Sequence, residues 1–207
     1  MRIPPPNVSR RRAVLVAMTS SARALRLLPR PAARFYVRAS LLALRLDHRW
    51  NFGSTLPPRE LAALVELARG RRSVVELGTG TGWTSLVLAL AEPGCFVRTY
   101  DPQVKPHRDA YASLAGQQAR SRVQFFTARG EEAAPPEKPV DLLFVDSDHS
   151  REAVRASFEL WAPRVAAGGH IAFDDYANDA YPGVREAVTE LGLEGRTAGR
   201  LFIWRRE

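Results

Sequence analysis

One cysteine, Cys95, is all the thiol the 207-residue chain has, which excludes an intramolecular disulfide, a CxxC redox centre and a Cys/His zinc cluster. It precedes Phe96-Val97, the start of a strand-like run, and reads as a small core residue. No apolar run approaches the roughly 18 residues of a membrane span, so a soluble, cytoplasmic protein is expected. Acids are missing where bases are densest: from Met1 to Leu46 there is no Asp or Glu. Residues 1–72 hold 15 Arg and Lys against 3 acids, and the remainder 15 against 19, so the net charge of +8 belongs to the amino-terminal third and the body is mildly acidic.

That third contains Pro4-Pro5-Pro6 and Arg10-Arg11-Arg12. A secretory signal is argued against by the apolar stretch Ala13 to Met18, shorter than the roughly 7–15 residues an h-region needs, and by Arg23 and Arg26 soon after. An organellar transit peptide stays open. Phe35, Val37, Leu41, Leu42, Leu44 and Leu46 fall largely opposite Arg34, Arg38 and Arg45, the pattern of an amphipathic helix lying over the core. A solvated basic face, a lid over a substrate, an anionic-membrane contact and a nucleic-acid patch are the alternatives for its outer side. No RNA-binding motif is present, which argues against a nucleic-acid partner. Residues 1–56 are expected to form this basic arm, and residues 57–207 the main domain.

The main domain alternates. A helical pattern from Arg59 to Ala68 stops at Gly70. Short β-branched or apolar runs at Ser73–Leu77, Phe96–Tyr100, Val123–Phe126, Val140–Val145 and His170–Phe173 alternate with helical stretches near Thr84–Ala91, Pro106–Ala119, Ser150–Trp161 and Gly183–Leu191. This order predicts an α/β fold, a doubly wound and mostly parallel sheet with helices on both faces. Arg200–Arg205 reads as a last strand whose partner, between Glu194 and Gly199, is hard to see.

Such sheets bind ligands at the carboxyl ends of their strands. After the first strand stands Glu76-Leu77-Gly78-Thr79-Gly80-Thr81-Gly82-Trp83-Thr84. Its glycines permit a tight turn and close ligand approach. They are spaced two and two, with Trp83 where the dinucleotide fingerprint would place its third glycine, which argues against NAD. Glu76 can accept hydrogen bonds from the loop or from a cofactor's ammonium group. Asp101 ends the next strand and can accept both hydroxyls of a ribose; capping the Pro102 turn is its structural alternative. Glu131, after the third strand, is placed to contact an adenine, or forms a solvated charge pair with a neighbour.

With these residues in view, Gly70 to Leu191 resembles a class I S-adenosylmethionine (SAM) methyltransferase, VVELGTGTGWTS being similar to its first motif. The stretch FVDSDHSREAVRASFELWAPRVAAGGHIAFDDYA, with Pro182-Gly183-Val184, is similar to a narrower group of methyltransferase family 24 type that includes catechol and macrocin-type sugar O-methyltransferases. The resemblance implies a Rossmann-like sheet of seven strands whose last two form an antiparallel pair, preceded here by the helical extension. SAM would contact Glu76, Gly78, Thr79, Gly80, Gly82, Trp83, Thr84, Asp101, Glu131 and Asp146.

Neighbouring strands lie about 4.8 Å apart, so carboxylates at their ends can converge on one ion. Asp146 ends strand four and Asp174 and Asp175 end strand five; three oxygen ligands suit Mg2+, and the resemblance places acids of metal-dependent O-methyltransferases at these positions. A metal-free enzyme with these acids as turn residues is the alternative. Asp148 and His149 are both candidate bases, His149 favoured, and capping the helix near Ser150 is the structural alternative for Asp148. Trp50 and Tyr176 are expected near the acceptor, whereas His107, His170 and Trp161 read as structural. The expected activity is methyl transfer from SAM to a hydroxyl of a small molecule. An NAD(P)-dependent oxidoreductase and a non-catalytic nucleic-acid-binding module are the alternatives, and a homodimer is left open.

Overall fold

The computed structural model describes residues 23–48 and 50–207; the transit-peptide reading falls on residues 1–22 and lies outside them. In chain order the elements are helices α1 (Arg30–Arg45), α2 (Trp50–Ser54) and α3 (Pro58–Ala68), strand β1 (Ser73–Leu77), α4 (Trp83–Ala91), β2 (Phe96–Tyr100), α5 (Arg108–Ala115), α6 (Gln117–Arg120), β3 (Val123–Phe126), β4 (Val140–Val145), α7 (Arg151–Trp161), β5 (Val165–Phe173), α8 (Pro182–Glu190), β6 (Gly195–Ala198) and β7 (Leu201–Arg205). The strands form one seven-stranded sheet in the order β3-β2-β1-β4-β5-β7-β6. β1 to β5 pair in parallel, and β7 runs antiparallel to both β5 and β6. The chain order reverses between β1 and β4, the place where open sheets of this kind hold ligands.

Central strands are apolar on both sides because both faces are covered. Val74 belongs to a core under α1, α3 and α4, and Val75, one residue on, to a second core under α7 and α8, as the two-residue period of a strand requires. Helix α4 is buried from Trp83 through Ala89, so it needs cover on its far side as well. Helix α1 supplies that cover. Among the described residues no helix is long and apolar enough to cross a membrane.

Three expectations are modified, and the short partner expected for the last strand is found. Pro106–Ala119 is two helices, broken at Gly116, whose φ of 87° is left-handed. β5 begins at Val165, ahead of His170, and its pairing with β4 is irregular between those two residues. β6 is the inconspicuous partner of β7: an edge strand with Gly195, Arg196 and Thr197 exposed has no apolar alternation to betray it. In α1 the side turned to the core is Ala32, Phe35, Ala39 and Ala43, while Val37, Leu41, Leu44 and Leu46 are exposed. Small side chains let two helices approach closely, and that requirement outweighs the larger transfer energy of leucine.

This orientation is directly testable by urea denaturation. Ala39→Leu should overpack the contact with α4 and lower stability by about 1–3 kcal/mol, whereas Leu41→Ser should stay within about 0.5 kcal/mol of the parent. The reverse ranking would mean that α1 is turned the other way.

Candidate active site at the carboxyl edge of the sheet

The site is built by register. Leu77 pairs with Tyr100 and with Val145, and Val145 with Phe173, so Asp101, Gly78, Asp146 and Asp174 stand side by side as the first residues beyond their strands. Hydrogen bonds continue the ladder through them: Gly78 N–H donates to Tyr100 O at 2.8 Å, Asp146 N–H to Leu77 O at 2.8 Å and Asp174 N–H to Val145 O at 2.9 Å. Above this row opens a cavity of about 760 Å³ lined by the glycine turn, Asp101, Glu131, Asp146 to His149, Asp174, Asp175 and Arg200.

Each glycine of the turn has its own reason. Gly78 (φ 100°) lies so close to the next strand that a Cβ would stand 1.9 Å from Asp146 O, and at Gly80 (φ 53°) it would stand 3.3 Å from the Trp50 ring. Gly82 (φ 84°) packs against Phe125, 3.0 Å from a built Cβ, and does not line the cavity. The structure thus gives Gly82 a packing role. Trp83 reaches the cavity wall, but its ring is buried edge-on against Phe35, Tyr36 and Tyr111. Thr79, Thr81 and Thr84 line the cavity; Thr79 and Thr99 hydroxyls pair at 2.7 Å, and Thr81 donates to Asn51 Oδ1 at 3.1 Å. Asn51, fully buried, ties α2 to the turn.

The acids are spoken for to different degrees. Asp101 Oδ2 accepts from Gly80 N–H at 2.9 Å and Oδ1 from Gln103 N–H at 2.8 Å, so it clamps the turn and caps its own loop. Glu76 is buried, its Oε2 accepting from Ser85 Oγ and from Thr99 Oγ1, the latter at 2.6 Å. Burial pushes its carboxyl up to about 7 despite those hydroxyls. Glu131 sits in the wall, its carboxylate 3.4 Å from Arg129.

At the β4 and β5 ends three carboxylates crowd together. Burial first, then the charges of Asp174, Glu76 and Asp175, hold Asp146 well above the usual carboxylate range. Asp174 is pushed up to about 6 by burial and by Asp175, and its Oδ1 is buried without a hydrogen-bond partner. Asp175, at a left-handed φ of 55°, is held at Oδ1 by Asn178 Nδ2 (2.8 Å) and Arg200 Nη1 (3.0 Å). Among the described residues no three His, Cys, Asp or Glu side chains form a preformed metal site. Carboxylate oxygens are nevertheless in excess here, and one of them, Asp174 Oδ1, is buried without a partner.

His149 Nε2 lies 3.5 Å from Asp146 Oδ1 and 3.4 Å from Asp175 Oδ2, without a hydrogen bond of its own. Its ring stacks on Tyr181 at 4.4 Å, and burial lowers its pKa. Asp148 instead accepts from Ser150 N–H at 2.9 Å, which lowers its pKa, and Ser150 caps α7 by accepting from Ala153 N–H. Trp50 lines the cavity as expected; Tyr176 does not, its ring packing on Phe202 at 4.8 Å. Trp161 is core, donating to Gly130 O at 2.8 Å. Cys95 is buried and its thiol pushed up to about 12 by burial. Asn51, Asn178, Tyr181 and Arg200 escape the sequence reading. Only Tyr181, just before the Pro182-Gly183 helix start, carried a local signal.

A glycine turn at the β1/β4 switch point, with an acid ending β2 beside it, is where a doubly wound sheet binds a nucleoside cofactor. Residues 75–176 match a family described as a methyltransferase domain, of methyltransferase family 24 type. Its fold is similar to that of the SAH-bound Podospora anserina methyltransferase PaMTH1 (TM-score 0.65, 15% identity, covering 100% of this chain and 98% of that one). It is likewise similar to that of CalS11, a TDP-rhamnose 3'-O-methyltransferase of calicheamicin biosynthesis (TM-score 0.60, 16% identity, 99% and 96%). An uncharacterised protein of Acanthamoeba polyphaga mimivirus is 40% identical over 53 residues, a match that spans 25% of this chain and 24% of that one.

The cavity fits such a cofactor in size and in its bare backbone at Gly78 and Gly80. Buried Glu76 makes a further check. Its carboxyl is raised from 4.5 to about 7, so the folded state loses stability as pH rises through that interval, by on the order of 3 kcal/mol, and the loss is complete above it. In Glu76→Gln the amide oxygen keeps both hydroxyl donors and the penalty disappears. Denaturation curves should show the variant gaining on the parent between about pH 5 and about pH 8; parallel profiles would contradict the buried charge.

Proposed function

We propose that the chain transfers the methyl group of SAM to a hydroxyl oxygen of a small molecule, with a divalent cation such as Mg2+ held by Asp146, Asp174 and Asp175. One observation carries this reading: three carboxylates converge in the cofactor's own cavity with a buried, partnerless Oδ1 on Asp174. Cofactor binding alone does not require that cluster. A cation there would lower the pKa of the acceptor hydroxyl.

The chain's own residues do the rest. The glycine turn, Thr79, Thr84, Asp101 and Glu131 would hold the nucleoside end of SAM, with Glu76 and Asp146 beside its amino-acid end. His149 is the base we assign. Its Nε2 is unpartnered and faces the carboxylates, and Tyr181 keeps the ring in place. Asp148 is occupied with Ser150. Trp50, over Gly80, walls the cavity. Fixing both reactants across one row of strand ends supplies orientation, a large part of the acceleration available to a displacement at a methyl group.

A labelled-SAM assay on a small-molecule extract, with calorimetry beside it, tests the parts separately. Asp174→Asn should lose about 100-fold or more in apparent cation affinity while SAM binding by calorimetry stays close to the parent's. His149→Ala should lower turnover by about 10²–10⁴-fold, and Asp148→Ala far less. Unchanged turnover after exhaustive chelation would remove the cation and leave methyl transfer standing. Absence of SAM binding to the parent protein would remove both.

A further inference from the structure

Helix α1 has two apolar faces, and the fold uses one. Ala32, Phe35, Ala39 and Ala43 meet the body. Val37, Leu41 and Leu44, spaced four and three, fall in one row on the opposite side and are 45%, 52% and 65% exposed. Leu27 before the helix and Leu46 after it are also exposed, 67% and 38%. Alongside run the exposed arginines 30, 34, 38 and 45. Residues 23–46 hold six arginines and no acid, and residues 1–22 add Arg2, Arg10, Arg11 and Arg12, again without an acid.

We propose that this face is a docking surface for a membrane carrying anionic lipid. The helix would lie in the interfacial plane, with Val37, Leu41 and Leu44 entering the acyl boundary and the arginines at headgroup level. Apolar row and cationic row lie side by side, and long arginine side chains can cover apolar surface while keeping their charge at the headgroups. A second copy of the chain fits poorly, because an isologous contact would bring the same arginines against each other with no acid between them. A nucleic acid would match the charge and leave the leucine row in water, since phosphate contacts take only the cations. The proposal is independent of the methyl acceptor and of the cation.

Flotation of the full chain with vesicles provides the test. Binding is expected to vesicles of phosphatidylcholine with about one third phosphatidylglycerol and not to phosphatidylcholine alone, and to weaken on going from about 0.1 M to about 0.5 M salt. The triple variant Val37→Ser, Leu41→Ser, Leu44→Ser should bind those vesicles about tenfold or more weakly, with an unchanged thermal midpoint because the three positions are exposed. If it unfolds, Leu41→Gln alone serves, with a smaller loss expected. Full binding by a folded variant would overturn the proposal in favour of the arginines alone. So would absence of binding by the parent, a dimer dissociated by the same substitutions without vesicle binding, or tight RNA binding indifferent to them.

Discussion

Everything at the site depends on the level at which the parallel strands end. Because β1, β2, β4 and β5 pair so that Leu77, Tyr100, Val145 and Phe173 are opposite one another, the next residue of each strand falls in one line across the sheet edge. Three of those four residues are aspartates and the fourth is Gly78. The only place where the line has no side chain is thus the switch point, flanked by Asp101 on one side and Asp146 and Asp174 on the other. A slip of one residue in any of these pairings would turn that strand's side chains to the wrong face and move an acid out of the row. The backbone bonds from Gly78, Asp146 and Asp174 into their neighbours hold it against such a slip.

The same alignment has an electrostatic consequence. Carboxylates from adjacent strands are brought together where burial already disfavours charge, so Asp146 and Asp174 resist ionisation and Glu76, one layer below, does too. Arg200, from the β6–β7 turn, offsets part of this at Asp175 while sharing itself with Glu60, whose Oε1 accepts the Arg200 N–H at 2.9 Å. One guanidinium thus stands among five carboxyl groups, too few to pair with them all. Groups perturbed by burial and by one another in a cleft are a signature of function rather than of stability, and here they share the cavity with the glycine turn.

Those features were legible in the sequence to the extent that they are local. Strand ends are marked by β-branched runs stopping at Gly or Asp, and Glu76, Gly78, Asp101, Asp146, Asp174 and Asp175 could be placed at the correct edge before any coordinates. Gly82 and Trp83 look identical in sequence to cofactor contacts, yet a glycine needed for Phe125 and a tryptophan needed for the aromatic core leave the same trace. What comes from distant segments was not legible at all. Asn51 reaches Thr81 across 30 positions and Arg200 reaches Glu60 across 140, and no periodicity encodes such meetings.

Helix α1 was misread for a related reason. Hydrophobic patterning ranks leucine above alanine and so assigns the leucines to the core. The partner decides otherwise: α4 is apolar all round and lies close against the sheet, and the helix that covers it must come near, which Ala32, Ala39 and Ala43 allow and a leucine row would not. Once that face is satisfied, the fold places no demand on Val37, Leu41 and Leu44, which could be polar with no loss of packing. An exposed apolar row beside a file of exposed arginines is costly in water and is not required by the sheet it overlies. Among the described residues no contact accounts for it, and an exposed apolar row of this kind is what a docking surface presents.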